Sequence, residues 1–239
     1  MVSFSLQGKI VVLTGGDAWP APPVAAELAR QGAVLAVQYQ RSFTDARHLV
    51  RRIEKDGGQA IAVRAVLSEP AQVEALCRRT VGALGGMDAM VVNAFPDTPP
   101  PDLAPPDAAP APPALPDAYR AVRLPLRDCL VPAHTALRTL SALRRPGALV
   151  YLTAGAGLRH ALAETAVRRL AAELGEDGLR VNAVAATDPA PPDGPATGTH
   201  PQPARIAARM AQLVAALTAG DLAGLSGAVL TTGALPPAR

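Results

Sequence analysis

The sequence predicts an α/β protein: a mainly parallel sheet with helices packed on both of its faces. The clearest sign is the stretch 148–186. It opens with the apolar run Ala148 to Leu152 and closes with Leu179 to Ala186, and neither alternates between apolar and polar residues, as strands covered on both faces read. Between them Leu162, Ala166, Leu170 and Leu174 recur every fourth residue with Ala163, Val167 and Ala171 beside them. Glu164 with Arg168 and Arg169 with Glu173 form i,i+4 pairs on the outer side, so the segment is an amphipathic helix. Gly175 and Gly178 end it before the chain re-enters the sheet. This is a β-α-β unit with a right-handed crossover.

The same alternation runs along the rest of the chain. Lys9 to Thr14 is a short buried strand, followed by Gly15-Gly16 and a helix from about Pro20 to Gln31. Val34 to Tyr39 is the second strand, and Phe43 to Asp56 is a helix closed by Gly57-Gly58. Ala60 to Val66 is the third strand. Glu69 to Leu84 is a helix with Val73, Leu76, Cys77, Thr80 and Leu84 on its apolar side. Asp88 to Ala94 is the fourth strand. Pro96 to Pro116 is so rich in proline that it reads as an extended loop. Asp117 to Arg145 is a long helix in which Pro125 and Pro132 require a kink or break. After the 148–186 unit come a second Pro/Gly-rich loop at 187–203, a helix from Ala204 to Leu217 and a last strand from Leu225 to Thr232.

The 239 residues suit one α/β domain spanning 1–239, and a composition that is 49% hydrophobic and 18% charged is that of a globular chain. The net charge of +3 comes from arginine pairs such as Arg51-Arg52, Arg78-Arg79 and Arg144-Arg145 on amphipathic helices. With so few aromatics beside them, these are solvated faces and no nucleic-acid surface is expected. Cys77 and Cys129 fall in apolar helical patterns and are expected as buried, reduced thiols. No charged-then-apolar leader and no run of about twenty apolar residues is seen. The expectation is therefore a cytoplasmic protein without a membrane span, and no metal site is expected.

Strand, glycine turn and helix at the amino terminus is the layout of a dinucleotide site, in which free N–H groups at the helix start hold the pyrophosphate. Here the turn reads Thr14-Gly15-Gly16-Asp17-Ala18-Trp19-Pro20-Ala21, with further prolines at 22 and 23. Proline has no N–H to offer, Asp17 adds a negative charge, and Trp19 is large enough to fill the phosphate space. The turn is read as structural.

Several of these segments together resemble the short-chain dehydrogenase/reductase family, whose fold is a Rossmann-like, doubly wound parallel sheet in three α/β/α layers. The resemblance rests on GALVYLTA at 147–154, on LAAELG at 170–175 and GLRVNAVA at 178–185, and on DAMVVNA at 88–94. The family writes its turn T-G-x-x-x-G-x-G. Against that pattern the second and third glycines are Trp19 and Ala21, leaving Gly15, Gly16, Arg41 and Asn93 as vestigial cofactor positions. Arg41, after the second strand, stands where NADP-preferring members place a basic residue. The adenine-holding Asp is matched by Val66 or Leu67. The glycine after Asn93 that passes under the nicotinamide ribose is Phe95.

The family's chemistry uses Ser, Tyr and Lys with an Asn from the preceding helix. The matching positions are Ala154, His160, Glu164 and Arg123, so none of the four is intact. The resemblance then implies a catalytically silent protein with no cofactor expected, and NADP if any. It further implies oligomerisation through helices 117–145 and 160–174, homomeric or with an active paralogue, as in heteromeric pairs of antibiotic and aromatic-degradation pathways. Leu126, Leu130, Val131, Leu137, Leu140, Leu162, Leu170 and Leu174 are its apolar contributions. Two alternatives remain open. One is a non-redox cyclase, dehydratase or isomerase with His160 as acid or base, Glu164 orienting it, Arg123 holding an anion and Thr153 beside the lost Ser. The other is a weakly active NADP-dependent oxidoreductase. Nothing in the sequence favours a sensing or regulatory role.

Overall fold

The computed structural model describes residues 5–95, 115–155, 157–174, 178–186, 203–219 and 224–232, with side chains from 126 in the long helix and from 206 in the last one. Its elements are β1 (Ile10–Leu13), α1 (Ala21–Arg30), β2 (Val34–Tyr39), α2 (Phe43–Lys55), β3 (Gln59–Arg64), α3 (Pro70–Leu84), β4 (Ala89–Asn93), α4 (Leu115–Ala142), β5 (Gly147–Thr153), α5 (Gly157–Leu174), β6 (Leu179–Ala185), α6 (Pro203–Ala219) and β7 (Val229–Thr231). The strands pair in the order β3-β2-β1-β4-β5-β6-β7, every pair parallel. Strand order reverses between β1 and β4. In such sheets the crevice beyond the carboxyl ends of the strands at that switch point is where ligands sit.

The two faces of the sheet carry separate cores. On one, Val11, Leu13, Leu35, Val37, Val91 and Val150 pack with Val24 and Leu28 of α1, Leu49 and Ile53 of α2, and Met210 and Val214 of α6. On the other, Val12, Met90, Leu149 and Tyr151 pack with Leu76 and Cys77 of α3, Ala133 and Leu140 of α4, and Val167 of α5. Adjacent strand residues feed opposite faces, so both must be apolar; this is why these strands read as unbroken hydrophobic runs. Both cysteines are buried free thiols, and desolvation raises each, Cys129 to about 11. No helix among the described residues is long and apolar enough to cross a membrane.

The structure departs from the expectations at element ends. α4 runs unbroken through Pro125 and Pro132, beginning at Leu115 and ending at Ala142, so Leu115 and Pro116 belong to it and not to the preceding loop. A proline inside a helix removes one N–H and costs about 3 kcal/mol. Here the buried row Cys129, Ala133, Ala136, Leu137 and Leu140 against the sheet offsets that cost. The last strand is only Val229–Thr231. Gly227 turns at φ +85°, and Ser226 and Ala228 instead bond to β6: Ser226 Oγ accepts from Val181 N, and Ala228 N donates to Asn182 Oδ1. Gly178 takes the positive φ expected of it, while Gly175, loop 96–114 and loop residues 187–202 lie outside the described residues.

Candidate functional site

The switch-point crevice is bounded by the β1–α1 turn, the ends of β2 and β4, and the starts of α4's and α5's contact. Its first feature is what the α1 start lacks. Pro20, Pro22 and Pro23 have no N–H, and Ala21 gives its own to Ala18 O at 3.0 Å. A helix start binds anions through free amide hydrogens and the dipole together. At this one the donors from 20 to 23 are absent or spent.

The two glycines have been turned to structural use. Gly15 N donates to Gln38 Oε1 at 2.7 Å and Gly16 N to Gln38 O at 2.7 Å. The Gln38 side chain is buried and gives Nε2–H to Ala65 O at 2.7 Å, so one residue ties the turn to β2 and to the chain leaving β3. Asp17 does not lie idle beside a phosphate space. Its Oδ2 accepts from the Arg41 and Ser42 N–H groups at 2.9 and 3.0 Å, which fixes the β2–α2 connection. Nothing in the sequence signalled Gln38, since a polar residue in an otherwise buried strand names no partner.

Where the family's second and closing glycines would leave space, two rings meet. Trp19 and Phe95 stand edge-to-face with centroids 4.8 Å apart, a favourable aromatic geometry. Asn93 braces them: its Nδ2 lies 3.5 and 3.4 Å from Ala18 O and Trp19 O, its Oδ1 accepts from Phe95 N at 3.2 Å, and its N–H donates to Thr14 Oγ1 at 2.9 Å. The sequence flagged Trp19 and Phe95 singly, 76 residues apart, and could not show that they touch. The cavity left over, lined among others by Gly15, Asp17, Gln38, Arg41, Asn93 and Phe95, is about 60 Å³. Small-molecule pockets run to several hundred Å³.

The other half of the crevice lies at the end of β5 and the first turns of α5. Ala154 is half-buried there and packs against the core. Thr153 is fully buried, and its Oγ1 lies 2.9 Å from His160 Nδ1. His160 Nε2 is 3.9 Å from Glu164 Oε2, and Glu164 Oε1 accepts from Arg168 at 2.6 Å. The three residues proposed for acid–base work are thus brought together, while the Arg123 side chain lies outside the described residues. A pair that the sequence reading missed, Arg159 of α5 and Asp128 of α4, bonds at 3.4 Å and lines the small cavity; positions 31 apart carry no periodic signal.

That α5 carries neither tyrosine nor lysine does not depend on alignment. The tyrosines are Tyr39, Tyr119 and Tyr151 and the lysines Lys9 and Lys55, so α5 has neither type at any position. Tyr151, the one tyrosine on β5, is a core residue. It donates to Cys129 O at 3.2 Å, and burial pushes its hydroxyl well above the usual phenol range. At the α1 start the proline positions supply no amide hydrogens, and the Trp19 and Phe95 rings stand beside them. Among the described residues no group of His, Cys, Asp and Glu is arranged to hold a metal ion.

A model of the short chain dehydrogenase family matches residues 9–101. The chain is 38% identical over 86 residues to the short-chain dehydrogenase/reductase homolog YusS of Bacillus subtilis, covering 36% of this chain and 79% of that one. It is 30% identical over 188 residues to hydroxynaphthalene reductase arp2 of Aspergillus fumigatus, covering 75% of this chain and 66% of that one. A short chain dehydrogenase of Burkholderia cenocepacia, solved in complex with NADP, superposes with a TM-score of 0.72 at 27% identity over 95% of this chain and 96% of its own.

Proposed function

Since the chain belongs to the short-chain dehydrogenase/reductase family, we propose that it is a catalytically degenerate member, one that takes no dinucleotide and serves as the structural or regulatory partner of an active reductase or dehydrogenase. The observation that carries this is the state of the β1–α1 turn, where three prolines stand at 20, 22 and 23 and the Trp19–Phe95 pair fills the volume beside them. Substitution at the cofactor half and at the Ser, Tyr and Lys half together leaves the fold without its redox chemistry, and a stabilising partner needs only the fold.

The surface for pairing is the outer side of α4 and α5. Two of the four large apolar side chains exposed among the described residues lie there, Leu130 at 39% and Leu158 at 44%. Leu137 and Leu140, which the sequence reading placed on this surface, are buried against the sheet, and Leu170 and Leu174 pack on the same core. A pathway like those of the reductases it resembles, biosynthetic or catabolic, is the setting proposed. Leu130→Asp is expected to weaken the chain's self-association in about 0.5 M salt, where charge is screened, at least tenfold by light scattering while the melting temperature stays within a few degrees, because the side chain is not in the core. Association unchanged by Leu130→Asp would contradict this surface.

The Thr153–His160 contact favours a second reading, a non-redox enzyme with His160 as acid or base in the old crevice. Cofactor-free exchange of the α-hydrogen of ketones in deuterium oxide, followed by NMR, is then expected for the wild type and lost in His160→Ala. Equal rates in both would leave the contact a structural one.

A further inference from the structure

We propose that the α4 face selects its partner by charge, and that the partner is a second chain of this fold whose matching helix carries carboxylates, rather than a second copy of this chain. The inference rests on the partner role proposed above and adds the chemistry of the partner.

α4 carries Arg120, Arg123, Arg127, His134 and Arg138 at spacings of three, four, seven and four, with Leu130 and Val131 between them. Spacings of three, four and seven return to one side of a helix. Among those with described side chains, Leu130, His134 and Arg138 are exposed and Arg127 is half-exposed. None of Arg127, His134 and Arg138 forms an ion pair among the described residues; Arg138 shares a groove with Glu74 and Arg78 of α3, without a bond to Glu74. Among the described residues no α4 carboxylate pairs with Arg127, His134 or Arg138; Asp128 pairs with Arg159 of α5.

The neighbouring helix is the contrast. On α5, Arg168 bonds Glu164 at 2.6 Å and Arg169 bonds Glu173 at 2.7 Å, so its outer charges are balanced within the helix. Of the two helices, α4 is the one whose described outer basic side chains, Arg127, His134 and Arg138, lack an ion pair, and they stand around the exposed Leu130.

Across a two-fold axis a helix face meets its own copy. Antiparallel α4 helices centred near Pro132 would set Arg127 of one copy against Arg138 of the other, and like charges so placed oppose binding and suppress that partner. An acidic stripe in the same place would meet both arginines and His134 with opposite charge around the Leu130 contact.

The test compares the wild type with a charge-reversed chain, Arg127→Glu/His134→Glu/Arg138→Glu, by analytical ultracentrifugation at about 0.05 M and about 0.5 M salt. The mixture is expected to associate at least tenfold more tightly than either chain alone at low salt, and to weaken as salt rises, while wild-type self-association strengthens with salt. A neutral variant, Arg127→Gln/Arg138→Gln, guards against a folding defect and is expected to self-associate more tightly than the wild type at low salt. A mixture no tighter than the wild type alone, or a neutral variant with unchanged self-association, would overturn the proposal. A tight wild-type dimer that Leu130→Asp disrupts but the charge variants leave unaltered would keep the partner surface and overturn the charge selection.

Discussion

Gln38→Leu is expected to lower stability by about 2–4 kcal/mol, as the buried Ala65 C=O and the part-buried Gly15 N–H lose their partner at once. Leucine fills a similar volume, so the loss reports the hydrogen bonds and not a cavity. For a chain of this length each kcal/mol moves the melting temperature by about 2–4 °C. Differential scanning calorimetry should therefore show a fall on the order of 5–15 °C. A change under a degree would mean that Gln38 does not hold the turn. The outcome bears on function, because the amides Gln38 occupies belong to the segment that meets phosphate in a working dinucleotide site.

Gly16→Ala is expected to be nearly as harmful. A β-carbon there would sit 2.1 Å from Val37 Cγ1 and 3.2 Å from Gln38 O, inside a strand whose Val37 is fully buried. Overpacking of a closed core costs about 1–3 kcal/mol, more where backbone must move. Gly82→Ala, in α3 with nothing within 4 Å, is the control and should be neutral or stabilising by about 0.5–1 kcal/mol. If the two variants melt alike, Gly16 is retained for something other than the fit of this turn against β2.

The architecture was readable because each buried strand had to be apolar on both sides and each helix on one, and that requirement leaves a pattern in the chain itself. Val34–Tyr39 was placed to the residue, and α3 within one. What failed were judgements that needed a neighbour. Pro125 and Pro132 break an isolated helix, but the packed row beneath α4 keeps this one whole. Leu137 and Leu140 looked like surface for a partner until the sheet covered them. Within the site the positions of Trp19, Phe95, Thr153, His160 and Glu164 were all readable, but not that the first two close on one another or that the last three fall in line. Gln38, Asp128 and Arg159 gave no sign at all. Their roles are long-range contacts between residues of ordinary type.

Trp19 is the only tryptophan, and it sits in the turn at issue, so its fluorescence reports directly on the question that decides the account. In a titration with NADPH, cross-checked by calorimetry, the expected result is no saturable quenching and no heat of binding up to millimolar nucleotide. Saturable quenching with a micromolar dissociation constant would contradict it, for it would mean that the rings part and that the proline-crowded helix start still holds a pyrophosphate.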